Sequence, residues 1–86
     1  MLIFTNKNFD KSFAKLSPKI KESFINRLDI FVADNFDSAL NNHSLKGEYF
    51  GYRSINVTGD YRAIYKVVTT NEICFIEIGT HSQLYK

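Results

Sequence analysis

The chain has 86 residues, 44% of them hydrophobic, and its 11 basic and 9 acidic side chains leave a net charge of +2. That length predicts a single domain, 1–86, with enough apolar content to exclude disorder; so short a chain buries only roughly 60–65% of its unfolded surface, which leaves few core positions to spare. The single cysteine, Cys74, excludes an intramolecular disulfide and a thiolate metal site, and no apolar run suits a signal peptide or a membrane span, so no membrane contact and a cytoplasmic location are expected.

Residues 2–5 are apolar and β-prone and predict a short first strand. Asn6 or Asn8 can cap a helix in which Phe9, Phe13 and Leu16 recur at helical spacing. Ser17-Pro18 ends that helix and opens another, since proline is favoured in a first helical turn. Ile20, Phe24, Leu28 and Phe31 then form one apolar stripe. Residues 35–47 are polar and irregular. From Tyr49 the period changes to that of strands: 52–58, 61–68 and 73–78, separated by the turn signals Thr58-Gly59-Asp60 and Thr69-Thr70-Asn71-Glu72. Gly79 is expected to break the last strand, with a helical turn starting at Thr80 or Ser82. The order β-α-α-β-β-β predicts an α+β domain: a helical hairpin on a small antiparallel-rich sheet, closed by a short C-terminal helical turn.

Taken singly, the polar residues of the strands have ordinary explanations. His43 suits a surface loop, Asp60 a hairpin turn, and Arg53, Arg62 and Lys66 a solvated sheet face. Together they suggest more. Pairing through the turn near Gly59 is expected to set Asn56 opposite Tyr61, to place Arg53 and Arg62 on nearby strands, and to bring His81 to the end of the sheet that holds Asp60. That grouping depends on register, because a one-residue slip exchanges the faces.

Acid–base groups, guanidinium groups and aromatic rings on one sheet face suit cleavage of RNA. A base deprotonates the ribose 2′-hydroxyl, an acid protonates the departing 5′-oxygen, and a cation stabilises the phosphoryl oxygens. Rings stack unpaired bases. The two histidines lie at no metal-ligand spacing and the four glycines form no phosphate-cradling motif, so no metal and no cofactor are expected.

Asn42-His43-Ser44-Leu45-Lys46-Gly47, Gly51-Tyr52-Arg53-Ser54-Ile55-Asn56-Val57, Gly59-Asp60-Tyr61-Arg62-Ala63-Ile64-Tyr65 and Gly79-Thr80-His81-Ser82-Gln83-Leu84-Tyr85 resemble the RelE/ParE toxin superfamily, most closely its YafQ-like branch. The resemblance implies a RelE-like domain and the toxin of a type II toxin–antitoxin pair: an mRNA interferase that enters the ribosomal A site and cuts the messenger without a metal. It implies a cognate antitoxin as partner, with DNA contacted only indirectly through the antitoxin complex. By the same resemblance His81 is the principal acid–base residue, Asp60 its complement or a substrate-orienting group, and His43 a second proton-transfer group. Tyr61 and Tyr85 position the messenger, Arg62 is the phosphate cation, and Lys46 or Arg53 supports it. Asn56, assigned to RNA binding, stands where the YafQ branch can carry another histidine. Two other functions compete: a ParE-like DNA gyrase inhibitor without nuclease activity, and a catalytically weakened antitoxin-binding module.

Overall fold

A computed structural model describes residues 1–85. Its first strand, β1 (Leu2–Thr5), leads into α1 (Lys7–Ala14) and α2 (Pro18–Ala33). A short 3-10 turn (Ser38–Leu40), β2 (His43–Ser44) and a second 3-10 turn (Gly47–Tyr49) follow. The chain ends in β3 (Arg53–Asn56), β4 (Tyr61–Thr69), β5 (Glu72–Thr80) and α3 (His81–Leu84). The strands form one sheet in the order β1-β5-β4-β3-β2; β1 runs parallel to β5 and every other pair is antiparallel. This is the expected α+β architecture. The two-residue β2, inside a segment whose polar sequence reads as irregular, adds an edge strand to it.

Side-chain caps fix both long helices. The Asn6 carboxamide accepts from Phe9 N at 2.7 Å, and the Ser17 hydroxyl accepts from Ile20 N at 3.3 Å, with Pro18 in the first turn. Asn6, not Asn8, is therefore the cap. Asn8 does a different job: its Nδ2 donates to the Ile76 carbonyl at 3.3 Å and to Glu77 Oε2 at 2.5 Å. It thereby occupies the β5 edge just past the end of β1, where an unpaired strand would otherwise be open.

The helices supply Phe9, Phe24 and Phe31 to one face of the sheet, where they meet Ile55, Val57, Ala63, Tyr65, Ile73, Phe75 and Ile78. Phe75 is central: its ring lies 5.2–6.1 Å from the rings of Phe24, Tyr65, Phe9 and Phe31. Each such buried side chain contributes about 1.5–3 kcal/mol. Phe75 and Ile78 are three residues apart, yet both point at the helices. A shift in the β4–β5 register between Ile64 and Tyr65 makes this possible by absorbing one residue of β5.

On the other face a smaller cluster of Leu45, Ile64 and Leu84 is flanked by Tyr49, Tyr52, Ile76 and Tyr85. Gly79 does not break β5; it pairs with Arg62, and the strand runs on to Thr80. A Cβ on Gly79 would lie 2.9 Å from Gln83 Oε1, so glycine leaves room for the Gln83 side chain to cap α3.

Candidate functional site

The Thr58-Gly59-Asp60 turn sets the register that builds the site. The Thr58 hydroxyl accepts from Asp60 N at 3.3 Å and from Tyr61 N at 3.1 Å, and Val57 N donates to the Tyr61 carbonyl. As a result Asn56 pairs with Arg62, one residue away from the expected partner Tyr61. The slip decides which side chains meet. Arg62 falls on the face away from the long helices with Ile64, Ser54 and Asn56, whereas Tyr61 packs against the main core with Ala63 and Tyr65.

An open cavity of about 480 Å³ lies on the face away from the long helices, lined by Asn41, His43, Ser44, Leu45, Lys46, Arg62, His81 and Tyr85. Its size falls within the range of small-ligand sites. Five of the residues expected at the site thus share one concavity: His43, Lys46, Arg62, His81 and Tyr85. They come from β2 and the residues after it, from β4, and from α3 with the residue just past its end.

Each is held by its own local structure. His43 pairs with Ser54 across the β2–β3 ladder, and its Nδ1 lies 2.8 Å from the Asn41 carbonyl. A carbonyl only accepts, so Nδ1 carries the proton in the neutral ring and Nε2 keeps a free lone pair. Asn41 makes this geometry available by adopting a left-handed backbone (φ 45°, ψ 47°), which asparagine tolerates better than most residues. His81 is the first residue of α3, whose N-terminus is secured twice: the Thr80 hydroxyl accepts from Gln83 N, and Gln83 Oε1 accepts from Thr80 N at 2.8 Å. One turn later the Tyr85 ring stands 4.7 Å from the His81 ring, tilted by 54°.

Arg62 Nη1 donates to the carbonyls of Thr58, Gly59 and Tyr61 at 3.0–3.1 Å. All three bonds use one nitrogen, which anchors the guanidinium to the turn and leaves Nη2 for another acceptor. Lys46, exposed at the start of the second 3-10 turn, adds a second positive charge at the rim.

The other four expected residues lie elsewhere. Arg53 lies on the strand next to that of Arg62, as expected, but it pairs with Tyr65 and so belongs to the helix-covered face rather than to the cavity side. Its Nε donates to Asn42 Oδ1 at 2.7 Å and its guanidinium sits 5.2 Å over the Phe36 ring. Asn42 in turn donates to the Asn35 carbonyl and the Tyr65 hydroxyl, so this network braces the backbone just before His43. Asp60 is exposed in its turn and lines no part of the cavity; it reaches His81 through its carbonyl, which accepts from His81 N at 3.1 Å. Tyr61 packs on the core. Asn56, beside Arg62 in the ladder, has a buried Oδ1 without a hydrogen-bond partner.

Asn41, Ser44 and Leu45 were not legible in the sequence as site residues. Nor was a second, smaller cavity of about 230 Å³ that shares Lys46 and Tyr85 with the first and adds Glu48, Tyr49 and Leu84. Burial, followed by the nearby carboxylates of Glu77 and Glu48 and the Tyr85 hydroxyl, raises the Tyr49 phenol above its ordinary pKa. Among the described residues no three His, Cys, Asp or Glu side chains cluster as metal ligands, and no helix is long and apolar enough to cross a membrane.

A family model described as a bacterial toxin of type II toxin–antitoxin systems, YafQ, matches residues 1–86. The crystal structure of YafQ from E. coli strain BL21(DE3) is similar at 24% identity and a TM-score of 0.79, covering 98% of this chain and 97% of that one. The YafQ structure in the E. coli DinJ–YafQ toxin–antitoxin complex is 27% identical with a TM-score of 0.73, over 98% and 96% of the two chains. The RelB–RelE antitoxin–toxin complex from Methanococcus jannaschii matches at 20% identity and a TM-score of 0.73, over 95% and 94%. No curated protein sequence matches the chain.

Proposed function

Because the chain belongs to the YafQ family of bacterial type II toxin–antitoxin toxins, we propose that it is an endoribonuclease that cuts messenger RNA in the ribosomal A site. The observation that carries this reading is the convergence of His43 and His81, from distant parts of the sequence, on one cavity with Arg62 and Lys46. Two imidazoles and two positive charges suit the transesterification of RNA, supplying proton transfer and charge stabilisation.

His43 accepts the 2′-hydroxyl proton at Nε2, the nitrogen its bond to Asn41 leaves free. The 2′-oxygen attacks phosphorus, and the bond to the 5′-oxygen breaks as His81, in its imidazolium form, gives that oxygen a proton. The products are a 2′,3′-cyclic phosphate and a 5′-hydroxyl. An imidazole can serve either as proton acceptor or as proton donor, so one side-chain type fills both roles. Arg62 Nη2 and the Lys46 ammonium stabilise the phosphoryl oxygens, and Tyr85 stacks on a base. With a net charge of only +2, affinity for the ribosome rests on this local cluster more than on the overall field.

The DinJ–YafQ complex supports a cognate antitoxin as the partner of this toxin; the proposal also sets the toxin in the cytoplasm and brings it to DNA only through that antitoxin. The direct test is to induce the chain in a bacterial host and map new 5′ ends on translated messengers, with His81→Ala as control. Cuts bearing 5′-hydroxyls that vanish in the variant are the expected result. Growth arrest without cuts would overturn the nuclease and favour a binding target such as DNA gyrase.

A further inference from the structure

The two cavities differ in chemistry. The larger presents His43, Lys46, Arg62 and His81, a lining suited to a phosphodiester. The smaller, about half its volume, has the Glu48 carboxylate and the Tyr49 phenol in place of His43, Arg62 and His81, keeping Lys46 and Tyr85 as the shared wall. A carboxylate repels phosphate, so the second cavity is not a continuation of the backbone track. Its aromatic walls are fixed: Tyr49 stands edge-on to Tyr85 at 6.1 Å, and Tyr85 in turn lies against His81 at 4.7 Å.

We propose that this second cavity is a base-reading subsite selective for guanine, in which Glu48 accepts from N1–H and N2–H while the base stacks on the Tyr85 side of the pocket. The proposal rests on the nuclease reading for its substrate, a nucleotide of the message next to the scissile phosphate. Guanine alone among the four bases presents two adjacent N–H donors on its pairing edge, a match for the two oxygens of a carboxylate. Adenine and cytosine offer one amino group beside an acceptor, which would face Glu48 oxygen to lone pair, and uracil flanks its single N–H with two carbonyls. The Tyr49 hydroxyl or the Lys46 ammonium supplies the donor that guanine O6 needs. Burial and neighbouring carboxylates keep the Tyr49 phenol protonated, and hence a donor, throughout the physiological range. The 3-10 turn that carries Glu48 and Tyr49 starts at Gly47 with φ of 65°, a backbone that favours glycine. Reader and catalytic loop are therefore contiguous: His43 to Tyr49 spans both cavities.

Binding and cleavage test this separately. Non-cleavable dinucleotides with a 2′-deoxy linkage, carrying each base in turn on either side of the phosphate, are titrated into the protein and followed by NMR. Guanine at one position should bind about tenfold tighter than the other bases, the discrimination of one good bidentate pair, and Glu48→Gln should erase that preference. A folded spectrum of the variant establishes that the change is local. Equal binding of all four bases, or a preference that survives Glu48→Gln, would overturn the subsite. Ribosomes programmed with messages varied at the same position then assign the source. Cleavage that tracks the message guanine supports the proposal, and a guanine preference in binding with cleavage indifferent to the message base would overturn a message-reading role. Guanine-selective binding with no cleavage of any message would sink the nuclease reading and leave the pocket's selectivity standing.

Discussion

The backbone N–H of His81 donates to the carbonyl of Asp60 across 3.1 Å, tying the first residue of α3 to the β3–β4 turn. The same turn offers the carbonyls of Thr58 and Gly59 to Arg62 Nη1. One three-residue turn thus positions both the imidazole and the guanidinium of the cavity. Asp60 enters this arrangement through its main chain, which any residue supplies.

Asp60 and His81 should therefore respond differently to substitution. His81→Ala is expected to lower cleavage by about 10²–10⁴-fold, the usual contribution of a positioned acid–base group, with antitoxin binding retained. Asp60→Ala should cost much less. Single-turnover cleavage by the purified proteins on programmed ribosomes compares them, and equal losses would place the Asp60 carboxylate in the chemistry.

Arg62→Ala removes three hydrogen bonds to turn carbonyls as well as one of the cations that line the cavity. A stability loss of about 2 kcal/mol in urea unfolding should therefore accompany the loss of activity. His43→Ala, by comparison, should reduce activity with little change in the unfolding midpoint, because His43 is exposed and its side chain is held through the Asn41 carbonyl.

The two tyrosines assigned to RNA from the sequence should separate. Tyr85 lines both cavities, whereas Tyr61 packs against the main core. Tyr85→Ala is expected to weaken RNA binding by about 1–3 kcal/mol, the worth of one stacked base. Tyr61→Ala should lower the melting temperature instead. Reversal of this pattern in paired binding and melting measurements would refute the assignment.

Gly79→Ala would push a methyl group to 2.9 Å from Gln83 Oε1, the atom that accepts from Thr80 N in the capping box. Loss of that cap should cost about 1 kcal/mol and loosen α3. Since α3 carries His81 and leads into Tyr85, cleavage should fall further than stability does. Hydrogen exchange at the Gln83 and Tyr85 amides, read beside kcat, checks the coupling.

Tyr49 gives the fold an alkaline limit. Its phenol has a higher pKa in the folded protein than the ordinary value of 10.0. Between the unfolded and folded values the native state holds more protons, so its contribution is complete below pH 10.0 and is lost as pH rises through the folded pKa. Stability measured against pH should decline more steeply above that point in the parent chain than in Tyr49→Phe. Identical slopes would show that Tyr49 titrates alike in both states.

Much of the architecture arises from local sequence rules. Asn6, and Ser17 with Pro18, mark where α1 and α2 begin because capping is chemistry between residues three apart. Phe9, Phe24 and Phe31 reveal the buried helical faces, and the period-2 segments reveal β3 to β5. The Gly-Thr-His-Ser-Gln-Leu-Tyr ending likewise announces a last helical turn at Thr80 or Ser82, and the Thr80–Gln83 capping box decides for Thr80. The membership of the site is a different kind of fact. Whether Tyr61 or Arg62 faces the cavity depends on a one-residue register that the Thr58 hydroxyl sets through two backbone bonds. Arg53, three positions along the ladder from Asn56, turns to the helix side by the same parity and finds Asn42 there. His43 lines the same cavity as His81 because β2, two residues long, joins the far edge of the sheet while α3 folds back from the end of β5. Sequence alone determines most of the segments that become helices and strands, because those preferences act over a few neighbouring residues. Tertiary structure decides which polar side chains share a cavity, because in a pleated sheet a single-residue shift exchanges the two faces.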